Sequence, residues 1–341
     1  MIKYNYIRHF ATVLLGCFLC IQAYAQHTTE FLFLETADYY LRKIMQTNAK
    51  AVFAEINRAY DQNQSELAFS LTNVTDDASK RIQSLWATSH FYCTETGITT
   101  RVLKSSNGYQ VRNIPIFFAQ GNKPEDKYQD IVIEFTADGK ISDMYIAINN
   151  HQYLKIIGDS NPITDLRYKQ MIVELVENFR TAYNRKDMQF LEDIYSDDAL
   201  IITGKVLKRD SLKRGDVPLA IIQKQVPYIQ FNVQNKKQYL ANLQRVFNAN
   251  SYINIKFDNI VVTRHEGNPN IYGVTLKQDW NASGGYHDEG WLFLMIDYED
   301  ENNPLIWVRT WQPLIDPNTG KEIHYEPEDI FGPGDFRVKY K

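Results

Sequence analysis

The sequence predicts an α+β protein built from two tandem units, each with three helices packed on one face of a curved antiparallel meander sheet. An internal repeat is the first reason: "EINRAYDQNQSELAFSLTNVTDDA" (55–78) recurs in outline as "ENFRTAYNRKDMQFLEDIYSDDALI" (177–201). Helical spacing is the second. It joins Leu41, Met45, Val52, Ile56 and Tyr60 in one copy, and Tyr168, Ile172, Leu175, Val176, Phe179 and Tyr183 in the other. The third is that each helical stretch is followed by four strand-like runs with turn signals between them.

The chain opens "MIKYNYIRHFATVLLGCFLCIQAYAQ". Lys3 and Arg8 make a positive start, an apolar run covers Phe10 to Ile21, and Ala23-Tyr24-Ala25 is a small-x-small cleavage box. Residues 1–25 are therefore expected to be a secretory signal peptide, with a mature start at Gln26 and a periplasmic or extracellular address. A lipoprotein box at Leu14-Leu15-Gly16-Cys17 offers an alternative, with an anchor at Cys17. No later stretch is long and apolar enough to span a bilayer. Without Lys3 and Arg8 the chain carries 35 basic and 41 acidic residues, net −6, which argues against nucleic acid and against an anionic membrane as partners. Cys93 is then the one remaining thiol and reads as a small buried hydrophobe rather than a nucleophile.

The first unit is assigned to 26–157. Its first helix is expected to begin as early as Phe31 and to end at "AYD", followed by a short helix capped by Ser65 and a third over "DDASKRIQSLWATS" (76–89). Strands follow at "FYCTETGITTRVLK", "YQVRNIPIFF", "YQDIVIEFTA" and "KISDMYIAI", the last pair joined across Asp138-Gly139. Alternation in "DIVIEF" puts Ile131, Ile133 and Phe135 on one side and Asp130 and Glu134 on a wet face. The second unit, 158–313, repeats the order. Its short second helix is capped by Asp187, its third is "NKKQYLANLQRVFNAN" (235–250), and its strands are "YINIKFDNIVVTRHE", "IYGVTLKQDW", "GWLFLMIDYE" and "LIWVRTWQ". Residues 205–231 are an insertion before that third helix. The tail, 314–341, has too many prolines and glycines for a core of its own. It should lie across the second unit or add a strand, at "FRVKY", to another sheet.

With its three helices and four-strand meander, the phrase "FRTAYNRKDMQFLEDIYSDDALI" resembles the nuclear transport factor 2-like (NTF2-like), or SnoaL-like, superfamily, of the cystatin-like α+β class. The second copy carries the resemblance in wording and order, the first mainly in order. It implies cone-shaped domains with a pocket at the mouth. In the family that pocket serves isomerases, cyclases, dehydratases and epoxide hydrolases, and also proteins that only bind, so the fold leaves the function open. The insertion departs from the family pattern and should cover or border the pocket.

Motifs for chemistry are sparse. No His/Cys cluster has metal-ligand spacing, and there is no phosphate-binding glycine loop or nucleophile elbow, so no metal or other cofactor is expected. What the resemblance implies for acid–base work falls nearest Asp279, His287, Asp288 and Arg309. Asp279 fits a base and His287 an acid if both face one cavity. Otherwise they are the solvated ends of a hairpin turn at "WNASGGY". Asn73 and Asn281 each open an N-glycosylation triplet.

Trp280, Trp291, Trp307 and Trp311 crowd the last three strands. Both faces of "GWLFLMIDY" are apolar, so one must meet the helices and the other needs a second cover from the first unit, the tail or another protein. The aliphatic set Leu292, Leu294, Ile296, Tyr298, Ile306 and Val308 is assigned to the helical side. Strict alternation then places Trp307, Arg309 and Trp311 together on the outer face. That face could be internal packing, an interface for an envelope protein, or the lining of a site for a small apolar ligand. The expected function is an exported, non-catalytic binding or scaffold protein, and the alternative is a SnoaL-like pocket enzyme.

Overall fold

A computed structural model describes residues 27–35, 38–105, 107–121, 123–159, 165–206 and 229–337. The predicted signal peptide, Cys17 included, lies outside the described residues. So does all of the predicted insertion except its two flanks.

In the first lobe, β1 (Glu30–Leu34) pairs in parallel with β3 (Gly97–Arg101). This corrects the expected helix start at Phe31. Phe31 and Phe33 alternate with exposed neighbours, a period of two, and both face the core. The helix α1 (Tyr39–Asp61) begins where the Asp38 carboxylate accepts from the amides of Tyr40 and Leu41. The helix expected after Ser65 does not form. There Val74 bridges to Ile141, while the Leu67 amide donates to Gln83 Oε1 at 2.8 Å, so local backbone groups are spent outside a helix. The helix α2 (Asp76–Thr88) then starts at a Thr75 cap. Strands β2 (Phe91–Cys93), β5 (Tyr109–Phe118), β6 (Tyr128–Phe135) and β7 (Ile141–Ile146) form the sheet, with the short β4 (Leu103–Lys104) against β5. Gly139, at φ 88°, makes the β6–β7 turn. Cys93 is buried in this core, and burial raises its thiol pKa.

The second lobe follows α3 (Asn150–Gly158). It comprises α4 (Leu166–Asn184), α5 (Met188–Ile194) capped by Asp187, β8 (Tyr195–Val206), β9 (Ile229–Asn235), α6 (Lys236–Ala249), β10 (Ile253–Arg264), β11 (Ile271–Ala282), β12 (His287–Asp297) and β13 (Leu305–Pro313). Its sheet has the order β10-β11-β12-β13-β8-β9, antiparallel except where β13 lies parallel to β8. The two flanks of the insertion are the paired ends of β8 and β9. Each lobe has its own apolar core, one built on α1 and α2 and the other on α4, α5 and α6.

The face of the first sheet predicted to be wet is buried beside α4 at Glu134, while Asp130 stays half-exposed. Glu134 is buried and accepts from the Tyr145 hydroxyl at 2.6 Å. Arg112 forks onto Glu177 of α4, and both side chains are buried. Glu177 also accepts from the Ile148 amide at 2.8 Å, and Arg180 donates to the carbonyls of Ala147 and Ile255 at 2.9 and 2.6 Å. Polar alternation read as solvation because the sequence does not reveal that another polar surface satisfies it.

The tail covers the outer face of the second sheet. Phe331 and Phe336 pack on Ile202, Ile271, Phe293, Met295 and Val308. Gln312 holds the tail at both ends of its amide, accepting from the Phe331 amide at 3.0 Å and donating to the Asp329 carbonyl at 2.7 Å. Phe336 and Arg337, the described part of the predicted final strand, are not in a strand.

Candidate functional site

The predicted Trp307-Arg309-Trp311 face does not exist. Met295 pairs with Val308 and Ile296 with Ile306, so Trp307 is the extra residue of a β-bulge. The bulge turns Trp307 and Val308 toward the tail, whereas Arg309 lies opposite Leu294 and Trp311 opposite Leu292, on the helical side. Val308 is thus the member of the aliphatic set that was assigned to the wrong face. Its companions Leu292, Leu294, Ile296, Tyr298 and Ile306 lie in the core against the helices, as expected.

This brings Arg309 into the cone. Its guanidinium is buried, with Cζ 5.0 Å from the centre of the Tyr239 ring on α6. The Tyr183 hydroxyl, from α4, is 2.7 Å from that of Tyr239 and 3.2 Å from that of Tyr195. Trp280 meets Tyr183 edge to face at 5.8 Å between centres. Burial pushes the phenols of Tyr195 and Tyr239 well above their ordinary pKa, so they remain neutral and give Arg309 no counter-charge. Arg309 forms no salt bridge with any described carboxylate, and its Nε and Nη1 have no hydrogen-bond partner. The indole Nε1 of Trp311 is likewise buried and unpartnered. Gly290 accommodates this indole, because a Cβ there would come 2.8 Å from the ring. Arg309 Nε and Nη1, and Trp311 Nε1 two residues further along the strand, are thus buried donors without partners, with the Arg309 charge over the Tyr239 ring. Such a set suits an anionic group carried on an apolar body.

Asp279 and His287 do meet, but elsewhere. His287 Nδ1 is 3.3 Å from Asp279 Oδ1 and 3.0 Å from Asn281 Oδ1, and Asn281 donates to Asp279 at 2.7 Å. They stand on neighbouring strands at one end of the β11–β12 hairpin, on the face opposite to Trp280, and are partly solvated. They therefore cannot act together with Arg309. Asn281 is 2 % exposed, which closes its glycosylation triplet, and the Asn73 amide is engaged by Asn48 Oδ1 at 2.8 Å. Asp288 pairs across the ladder with Trp280; burial raises its pKa to about 6, while the Tyr286 hydroxyl donates to it at 2.5 Å. Trp291 lies on the outer face with Lys277 Nζ 5.7 Å from its ring centre. Sequence reading missed Tyr183, Tyr195 and Tyr239. Their helical and strand spacing looked like ordinary core, and only the bulge brings a charge among them.

Among the described residues there is no group of three or more His, Cys, Asp or Glu side chains that could hold a metal ion, and no helix long and apolar enough to cross a membrane. No family model matches the sequence, and no curated protein does. Among solved structures, the chain is similar to an NTF2-like protein of unknown function from Pseudomonas putida at 10% identity, over 46% of this chain and 94% of that one, with a TM-score of 0.31. It is similar to a protein of unknown function with a cystatin-like fold from Nostoc punctiforme at 11% identity, over 45% and 94%, with a TM-score of 0.30. An NTF2-like superfamily protein from Salmonella enterica is similar at 11% identity, over 45% and 96%, with a TM-score of 0.31.

Proposed function

We propose that this chain, a pair of NTF2-like units, is an exported binding protein of the bacterial envelope whose second cone takes a small apolar ligand bearing an anionic group. The observation that carries the reading is Arg309, a buried charge with two unpartnered nitrogens and no carboxylate beside it. Leaving such donors unpaired costs roughly 1–3 kcal/mol each, and an anionic ligand would recover that cost. Binding is favoured over acid–base catalysis because Asp279 and His287 lie across the sheet from the arginine. Export rests on the pattern of residues 1–25 and is checked by the intact mass of the secreted protein, which should begin at Gln26; a mature form beginning at a lipidated Cys17 would replace the free form with an anchored one.

The test of the ligand class is quenching of Trp280 and Trp311 fluorescence by 3-phenylpropionate, with its neutral amide as control. The acid should bind at least tenfold more tightly than the amide, and Arg309→Gln should abolish the difference. Equal binding of acid and amide by the unaltered protein would reject the anion-binding reading.

A further inference from the structure

The first lobe carries a row of aromatic rings that belongs to neither apolar core. Register puts Tyr92 of β2 opposite Phe117 of β5, and Phe117 opposite Tyr128 of β6. The three side chains therefore lie side by side on the face turned away from Phe91, Cys93, Ile116 and Phe118. Ring centres are 5.5 Å apart from Tyr92 to Phe117 and 5.2 Å from Phe117 to Tyr128, the second pair edge to face. Phe117 thus braces Tyr128, which stays 63 % exposed.

The second observation lies beside the row. Tyr128 also borders a cavity of about 460 Å³, where the first sheet meets β10 and the start of α3. That volume is within the range of sites for small molecules. Asp130, Asn149, Asn150 and Asp258 are part of its polar lining. The Asp130 carboxylate accepts no hydrogen bond from the described residues. Burial raises its pKa against the pull of Arg112, the mark of a carboxylate short of donors. Asp258 accepts from Gln152 Nε2 at 3.1 Å and from the Asn259 amide at 2.8 Å, both on Oδ1, which leaves Oδ2 for a ligand. The cations here are already engaged. Lys256 is paired with Asp126, and Arg180 donates to Gln129 and to the carbonyls of Ala147 and Ile255.

We propose that the Tyr128 ring and this cavity form a binding site for a neutral β-1,4-linked glycan, with one sugar lying on the ring and hydroxyls of the next donating to Asp130 and Asp258. A pyranose with equatorial substituents presents a flat patch of C–H bonds, whose positive hydrogens suit the negative face of an aromatic ring. Its hydroxyls supply the donors that the two carboxylates lack. An acidic glycan would meet Asp130 and Asp258 with no free cation to offset them. A proline-rich peptide could stack on the same ring, but proline has no N–H to give the carboxylates.

The probes are cellohexaose and chitohexaose, titrated calorimetrically into the full-length protein at pH 7 and 0.15 M salt, with a ten-proline peptide as the competing occupant. At least one of the sugars should show a saturable site, and the peptide should show none. Tyr128→Ala should weaken sugar binding at least tenfold, and Asp130→Asn at least fivefold. A thermal melt of each variant accompanies the titration. Should either variant fail to fold, the other decides alone. No saturable binding of either sugar, tighter binding of the peptide than of both sugars, or undiminished sugar binding by a folded variant would each overturn the proposal.

Discussion

Arg309 shows how one side chain changes meaning with its face. On a surface its reversal to glutamate would cost under about 0.5 kcal/mol. Buried among neutral phenols, Arg309→Glu instead places an unpaired carboxylate in the core and should cost on the order of 3 kcal/mol or more, lowering Tm by roughly 6–12 °C in a melt. Arg309→Met should leave Tm unchanged or raise it, because it removes two unsatisfied donors while keeping apolar volume. Glu134 carries a pH signature of its own. Burial first, then the charge of Glu174, raise its pKa from 4.5 to about 8. The folded state therefore holds a proton that the unfolded state has released, and stability should fall as pH rises from about 4.5 to about 8. Glu134→Gln should flatten that slope in melts taken between pH 5 and 8, and an unchanged slope would assign the proton elsewhere. The residues most legible in the sequence were those whose alternation is unbroken, Leu292, Leu294 and Ile296. Trp307 misled because a bulge without glycine leaves no mark in the chain.

Among the elements, the tail is the clearest case of a stretch without periodicity that nevertheless completes a core. Its composition excluded an independent fold, and the two apolar faces of β12 required a cover for one of them. Neither fact told which candidate supplied it. Phe331, with 1 % exposure, sits on Phe293 and Met295, so Phe331→Ala should destabilise by about 3–5 kcal/mol. Gln312→Leu should act on the same contact by another route, since it removes the side-chain amide that fixes Phe331 and Asp329. Both variants should bind a hydrophobic-surface dye well below their melting temperature. Absence of dye binding would mean that the face finds another cover when the tail lifts. The first-lobe helices teach a related point. Asp38 and Thr75 mark true starts, whereas Ser65 looked like a cap and is not, because the following backbone finds partners in Ile141 and Gln83.

For the whole molecule, the seam between the lobes is polar and buried together, which makes partial damage worse than complete removal. Arg112→Ala leaves Glu177 charged in a dry interface and should cost about 3–5 kcal/mol. A fragment spanning 147–341 exposes Glu177 and Arg180 to water instead, and keeps Ile148 and Ile156, which belong to the second core. That fragment should fold with a cooperative melt by circular dichroism, and a non-cooperative melt would mean that the two cores are one. A fragment begun at 158 loses those two residues and should melt lower. Two units could be read from the repeat, but the seam could not, because an alternating strand facing water and one facing a polar helix have the same pattern.

The parallel pairing of β13 with β8 has a consequence for when the second lobe can form. Ile306 meets Tyr195 across more than a hundred residues of intervening chain, and β13 sits between β12 and β8. The chain must be present through Pro313 before this sheet can join its two halves, whereas the main first-lobe sheet, β2 through β7, is made of strands close in sequence. Non-local closure is slow. The first lobe can therefore form while the second is still an open chain, and β13 sets the moment at which the second commits.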